Sequence, residues 1–526
     1  MFARVWSGTV YGVDGHLVQV EVDISRGLPL FEIVGLPSAL VRESRDRVRT
    51  AIRNSGLPFP TGRIVVNLAP ADLPKAGPAC DLAIALGVLA AGGQVPAERA
   101  ASLCAVGELS LDGAVRWVPG VLSIALAAAG RGIRLAVPAA AFSEAALVPG
   151  LDVIPVRSLA EAVAWLQGGE RPRSPGASET GCPRSARSPG EEGDLADVSG
   201  QFLAKRALEV AAAGGHNLLF TGPPGVGKTM LARRMPGILP PLGDAEYLEV
   251  CRVYSIAGLL DDDPVRAGRR PFRAPHHTSS RAGLLGSARG IPGEVSLAHH
   301  GVLFLDELNE FSRPVLEALR QPLEDGIVVI ARWPRPLRFP ARFALVAAAN
   351  PCPCGYLGDA RRECRCSEAA VQAYRRKLSG PMADRIDLHV EMTVPTWTEL
   401  RGRGGSPTSA EVRDRVARAR EIQARRFCGL AVQVNGRMDA ALVQRFCQLD
   451  EKGEQLLRAA LQQGVVSARG SARVLRVART IADLAGCPRI QAEHVGEALA
   501  FRAAIAGASG AGRGHMHSVG AGGGLQ

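Results

Sequence analysis

LLFTGPPGVGKTMLARR, residues 218–234, decides the fold. An apolar run, "NLLFT", leads into GPPGVGKT, Gly222 to Thr229, and a helix-forming segment, "KTMLARRM", follows. The spacing G-x-x-x-x-G-K-[ST] is that of a loop whose backbone N–H groups turn inward around phosphates, where no Cβ would fit. The strand before it and the helix after it supply the context that a chance match lacks. The nucleotide cradle is therefore Gly222, Pro223, Pro224, Gly225, Val226, Gly227, Lys228, Thr229 and the adjoining Met230. Lys228 is expected to reach the β- and γ-phosphates of ATP, and Thr229 to offer its hydroxyl to Mg2+.

A second half of the site lies downstream. "GVLFLDELNEF" is a four-residue apolar run that ends in Asp306 and Glu307. Such a run reads as a buried central strand, so the carboxylates emerge at its carboxyl end, where open α/β sheets bind ligands. Asp306 is expected to hold Mg2+, and Glu307 to orient and deprotonate the attacking water. "FALVAAAN" supplies another buried strand ending in Asn350, an amide suited to positioning that water. "SGPMADRIDLHV" presents Arg385 between a helix and a strand, as the arginine that completes the site of a neighbouring subunit. In "SARGSARVLRVARTIADL", Arg469 or Arg473 is the residue that reaches the γ-phosphate, Arg469 being preferred.

Outward from this core, residues 201–395 alternate apolar strands and helices, the pattern of a parallel α/β domain. Residues 396–507 are helical, opening with a capping box from Thr408 to Glu411 and apolar positions at 412, 416, 419 and 422. Residues 1–167 read as a separate α/β unit. In "HLVQVEVDIS", Val18, Val20, Val22 and Ile24 face one way. A helix follows, capped by Ser38 and stopped at Gly56. Residues 168–200, rich in Gly, Pro, Ser and charge, read as a flexible linker, and 508–526 as a disordered tail.

The totals narrow the class. The chain has 526 residues, 47% of them hydrophobic, enough for several cores. With 62 Lys and Arg against 51 Asp and Glu, the net charge is +11, which suits a polyanionic partner or reflects an arginine-rich composition. The stretch "MFARVWSGTVYG" lacks the long apolar core of a secretory leader, so none is expected, and no apolar run approaches the ~20 residues needed to span a bilayer. An odd number of scattered cysteines is no disulfide scaffold, so a reducing, cytoplasmic setting without membrane contact is expected.

The series GPPGVGKT, "RPFRAPHHTSS", "PGEVSLAHHGVLFLDELNEF", "ANPCPCGYLGD", "SGPMADRIDLHV" and "ARTIADL" resembles the magnesium-chelatase-related AAA+ ATPases called YifB or ComM. The likeness covers most of residues 1–505. It implies a P-loop AAA+ core with a helical lid, and a hexameric ring acting on single-stranded or branched DNA as a helicase. Branch migration in homologous recombination, notably natural transformation, is the implied task. A motor for a magnesium chelatase and a protein remodeller are the alternatives. The N-terminal region is similar to the Lon protease domain, a fold shared with a ribosomal S5 protein. Where Lon carries its catalytic Ser and Lys, Ala79 and Leu122 stand here, so the domain is expected to be non-catalytic; Cys80 and Lys75 are close by but adjacent positions point apart.

Two further stretches carry chemistry. "EDGIVVIARWPRPLRFPARF" reads as a hairpin bearing Arg332, Trp333, Arg335 and Arg338, suited either to DNA phosphates and bases or to packing on a neighbouring subunit. "NPCPCGYLGDARRECRCS" holds Cys352, Cys354, Cys364 and Cys366 within an insertion over 350–367. These four either close a Zn2+ site or remain reduced thiols; zinc is the preferred reading, although C-x-C is tighter than the usual C-x2-C. His276 and His277 are expected in hydrogen-bonding or interface roles rather than on a metal.

Overall fold

The computed structural model describes all residues except 36–38, 76, 175–192, 261–264, 266, 333–334, 360, 379–381, 398, 400–405 and 510–526. Ser38, expected as a cap, the central part of the linker, Trp333 and nearly all of the tail lie outside the described residues.

The first unit is built on a seven-stranded mixed sheet. Its strands are β1 (Phe2–Tyr11), β2 (Asp14–Ser25), β3 (Leu30–Val34), β4 (Arg63–Ala69), β5 (Leu103–Ala105), then β8 (Arg134–Pro138) and β9 (Val153–Val156), in the order β3-β4-β2-β1-β5-β8-β9. A small ribbon, β6 (Glu108–Leu109) with β7 (Val115–Arg116), sits beside it. The period-two pattern of β2 is realised: Val18, Val20, Val22 and Ile24 are buried. Against β1 and β2 packs the helix Asp81–Ala91, every residue of which is buried, as an all-round apolar helix requires. Its one charge, Asp81, is paired with Arg47 at 2.9 Å.

The second unit carries a five-stranded, wholly parallel sheet. It consists of β10 (Leu218–Thr221), β11 (Phe272–Arg273), β12 (Val302–Leu305), β15 (Ala344–Ala349) and β16 (Leu388–Glu391) in the order β11-β12-β15-β10-β16. Parallelism follows from helical crossovers, and it aligns all the carboxyl ends along one rim. A two-stranded hairpin, β13 (Ile327–Ile330) with β14 (Leu337–Pro340), stands outside this sheet. Helices Ser409–Arg426, Glu451–Gln462, Ala468–Leu484 and Ala492–Ser509 form the C-terminal part. Thr408 and Glu411 make the expected capping box, but the buried stripe of the first of these helices ends on Gln423, whose amide donates to Ala213 O, rather than on residue 422.

The compositional linker differs from expectation at its far end. Leu195 and Val198 are buried, and both carboxylate oxygens of Asp194 accept from Ser409 N at 3.1 Å. Two apolar residues and one cap anchor 194–198 to the lid, a local effect that average composition hides.

Candidate functional site

Three neighbouring strands, β12, β15 and β10, deliver the predicted side chains to one rim. The loop after β10 needs its glycines. Gly225 and Gly227 have φ of 82° and 95°, and a Cβ on Gly222 would lie 2.3 Å from Met392 O. Thr229 Oγ1 donates to Asp306 Oδ2 at 2.7 Å, which brings a hydroxyl and a carboxylate together across the sheet. This pair of hard oxygen donors fits Mg2+. Lys228 Nζ donates to Gly222 O at 2.5 Å, Pro223 O at 3.0 Å and Asn350 Oδ1 at 3.0 Å. Burial lowers the Lys228 pKa, partly opposed by Asp306 and Glu307.

Glu307 adopts φ 51°, a left-handed backbone that costs a non-glycine residue about a kcal/mol or more. The bend lets its N–H donate to Asp306 Oδ1 at 2.9 Å. His277 Nδ1 lies 3.4 Å from Glu307 Oε2, and the His277 ring meets Phe311 edge-on. Sequence reasoning gave His277 no place at this rim. Gln201 was likewise missed; its Nε2 donates to Thr393 O at 2.7 Å and Val226 O at 3.3 Å, tying the loop to the chain beyond β16. A cavity of about 450 Å3 opens beside the loop, bounded by Gly222, Pro223, Leu357, Arg361, Met392 and Trp397.

Arg385 is elsewhere. Its carbonyl accepts from Asn217 Nδ2 at 2.9 Å, at the amino end of β10, and its guanidinium pairs with Glu324. Asn217 to Gly222 is five residues of extended chain, roughly 16 Å at 3.3 Å each, so Arg385 is at the far edge of the sheet from its own Lys228. Arg473 joins it there, with Nε 3.7 Å from Asp387 Oδ1. His216 Nδ1 bonds the other Asp387 oxygen at 3.2 Å, while its Nε2 meets Thr480 Oγ1 at 2.8 Å. Burial pushes the Asp387 carboxyl up, yet His216 and Arg473 outweigh it and hold the group below its ordinary value. Arg469 is exposed, one turn before Arg473 on the helix Ala468–Leu484.

The arginine hairpin forms, and Arg332 and Arg335, on either side of residues 333–334, are seated on the first unit of the same chain. Tyr11 Oη donates to Arg335 O, Arg335 pairs with Asp72 at 3.1 Å, and Arg332 stands 6.0 Å over the Tyr11 ring. Gly12, at φ 63°, permits this approach, since a Cβ there would be 2.7 Å from Arg338 O. Arg338 itself is exposed.

The four cysteines converge. Cys352 Sγ lies 3.3 Å from Cys354 Sγ and 3.6 Å from Cys364 Sγ, and all four sulfurs fall within 4.8 Å of one another. Glu249, His299 and His300 also cluster. There His299 Nδ1 accepts from Arg342 N at 3.0 Å, so its Nε2 carries the proton given to Glu249 at 2.9 Å and neither His299 nitrogen is left for a metal. In the first unit, Ala79 and Leu122 are buried and apolar. Burial pushes the Cys80 thiol up to about 11. Lys75 Nζ is spent on Gly35 O, at 3.1 Å, and Pro70 O. Neither Cys80 nor Lys75 is thus an activated nucleophile.

Among the described residues no helix is long and apolar enough to cross a membrane. Family models match three stretches: magnesium chelatase, subunit ChlI, over 194–400; subunit ChlI of Mg-chelatase over 20–141; and the ChlI C-terminal region over 406–502. An uncharacterized protein of Mycobacterium tuberculosis is 47% identical over 95% of this chain and 98% of its own length. Competence protein ComM of Haemophilus influenzae is 43% identical, covering 96% and 98%. YifB of Escherichia coli, also uncharacterized, is 42% identical, covering 94% and 95%.

Proposed function

From the premise that this chain belongs to the magnesium chelatase subunit ChlI family of AAA+ proteins, alongside ComM and YifB, we propose that it is an ATP-driven DNA translocase. One observation carries the reading: Lys228, Thr229, Asp306, Glu307 and Asn350 share one rim, whereas Arg385 and Arg473 lie at the other edge of the same sheet. A single chain then holds two unlike halves. Stacking copies head to tail brings the arginine edge of one to the phosphate rim of the next, and repetition closes a ring, a hexamer in this reading.

At the shared site, Thr229 and Asp306 would hold Mg2+, whose charge would offset that of the phosphates. Lys228 exchanges its loop carbonyls for phosphate oxygens, Asn350 positions the attacking water, and Glu307 takes its proton. The neighbour's Arg385 stabilises charge on the transferred group, with Arg469 or Arg473 sensing the nucleotide. His277 keeps Glu307 oriented. Zinc, if the four cysteines hold it, takes no part in a reaction step.

DNA as the load, single-stranded or branched, rests on the likeness to a competence protein and on the arginines of the hairpin. Branch migration during recombination in a cytoplasmic setting is the corresponding task. The first unit, in this reading a Lon- or S5-like platform, supports the hairpin and catalyses nothing.

Two assays test the reading. Lys228→Ala and Arg385→Ala chains, each inactive alone, are expected to regain turnover when mixed, because some interfaces then combine two intact halves; no recovery at any ratio overturns the shared site. Forked DNA is expected to stimulate turnover with a steep salt dependence. Indifference to DNA favours a chelatase-type motor instead.

A further inference from the structure

We propose that Cys352, Cys354, Cys364 and Cys366 bind one zinc ion as a tetrathiolate, and that this ion fixes the turn which seats Gly355 against the phosphate loop and holds Asn350 in register. The inference deepens the ATP reading above, on which only its turnover arm rests.

Three features of the cluster carry it. Zn–S bonds of about 2.3 Å in a tetrahedron place sulfurs about 3.8 Å apart. The cluster has 3.3, 3.6 and 3.6 Å for three of its pairs, and all four sulfurs meet within 4.8 Å, although the two C-x-C pairs are separated by nine residues. Next, the backbone is wrapped as a metal knuckle. Gly355, at φ 85°, donates its N–H to Cys352 O at 3.0 Å, and the N–H groups of Tyr356 and Arg365 face the Cys354 sulfur. Finally, charge agrees. Four thiolates around Zn2+ leave about −2, and the same short loop is net positive, with Arg361, Arg362 and Arg365 against Asp359 and Glu363, Arg362 bonding Tyr356 Oη at 2.7 Å. Four soft ligands and no free position describe a structural ion, not a catalytic one.

The link to the nucleotide site is steric. A Cβ at Gly355 would stand 3.0 Å from Pro224 Cδ and 4.0 Å from Asn350 Cγ, so the knuckle touches both the loop and the amide that bonds Lys228. Binding draws the thiol protons off and closes the turn. Without the ion, nothing cross-links the two C-x-C pairs, and Gly355 loses its fixed seat.

The test uses the full chain purified without a metal-affinity step. Elemental analysis is expected to give one zinc per chain, and cobalt exchange the intense visible bands of a tetrahedral tetrathiolate. Cys364→Ser with Cys366→Ser is expected to abolish both. Chelator-stripped wild type is expected to exchange amide hydrogens faster over 222–230, with ATP turnover lowered roughly ten- to a hundredfold and restored by zinc. Native protein free of zinc, with all four thiols reactive, overturns the proposal. So does bound zinc whose removal leaves exchange over 222–230 unchanged. If the protein never turns over ATP, the ATP reading fails, while zinc content and amide exchange still decide this one.

Discussion

Each unit of the molecule buries a lysine beside a chain turn, and the two lysines have opposite prospects. Lys75 in the first unit donates to Gly35 O and Pro70 O; Lys228 in the second donates to Gly222 O, Pro223 O and Asn350 Oδ1. Burial depresses both. What separates them is company. Lys228 faces two carboxylates, a hydroxyl and a glycine loop with open space at Gly225 and Gly227, whereas Lys75 is held by two backbone carbonyls beside the buried Cys80 thiol and Asp72, which is itself paired with Arg335. A buried amine becomes a site only where neighbouring groups and room for a ligand are built with it.

The comparison breaks first at the lysines themselves. Lys228→Ala is expected to lower ATP turnover by roughly a thousandfold, while Lys75→Met leaves turnover per folded chain unchanged; steady-state phosphate release checks both, and an equal loss erases the distinction. Next, Glu307→Gln should cut turnover by roughly a hundredfold or more yet leave ATP binding intact, measured by titration with a fluorescent analogue. Smaller in effect, Lys75→Met leaves two carbonyls without a donor and should cost about 1–3 kcal/mol of stability in denaturant unfolding, with the loss confined to the first unit. Spread over several pH units, and so the most gradual, is the response to acid. His389 is buried in β16, and burial, with Arg502 beside it, lowers its pKa from 6.5 to about 3 against the pull of Asp387. An unfolded chain binds the proton that the folded chain refuses, so stability is full above about pH 6.5 and is lost as pH falls toward 3. Calorimetry over that range is expected to move the parallel-sheet transition downward, and His389→Gln to flatten the slope.

Much of the nucleotide rim was legible because its information is local. GPPGVGKT needs only its own glycines, and the runs before Asp306 and Asn350 are apolar enough to be central strands, which in a parallel sheet must end together. That Arg385 lies at the far edge follows from the same rule, since it precedes its strand instead of ending it. His277, Gln201 and Asp387 were not legible. Each sits in a loop or at a strand's start, and each matters only through a residue far away in sequence: Glu307, Thr393 and His216. Composition misled at 194–198, where Leu195 outweighs its polar surroundings. The cysteines were half legible: the count gave a ligand set, but only the fold could bring two C-x-C pairs to one point.

Gly12 and Tyr11 hold the hairpin from below, so trimming the amino-terminal unit is no neutral edit. Removing it takes the Tyr11 donor from Arg335 O and the Asp72 partner from the Arg335 guanidinium, so a shortened chain would keep the hairpin strands but lose what braces them. Conversely, whatever displaces the hairpin must either carry a seven-stranded sheet along with it or release its grip on Tyr11, which makes that contact the natural place to watch for such a displacement.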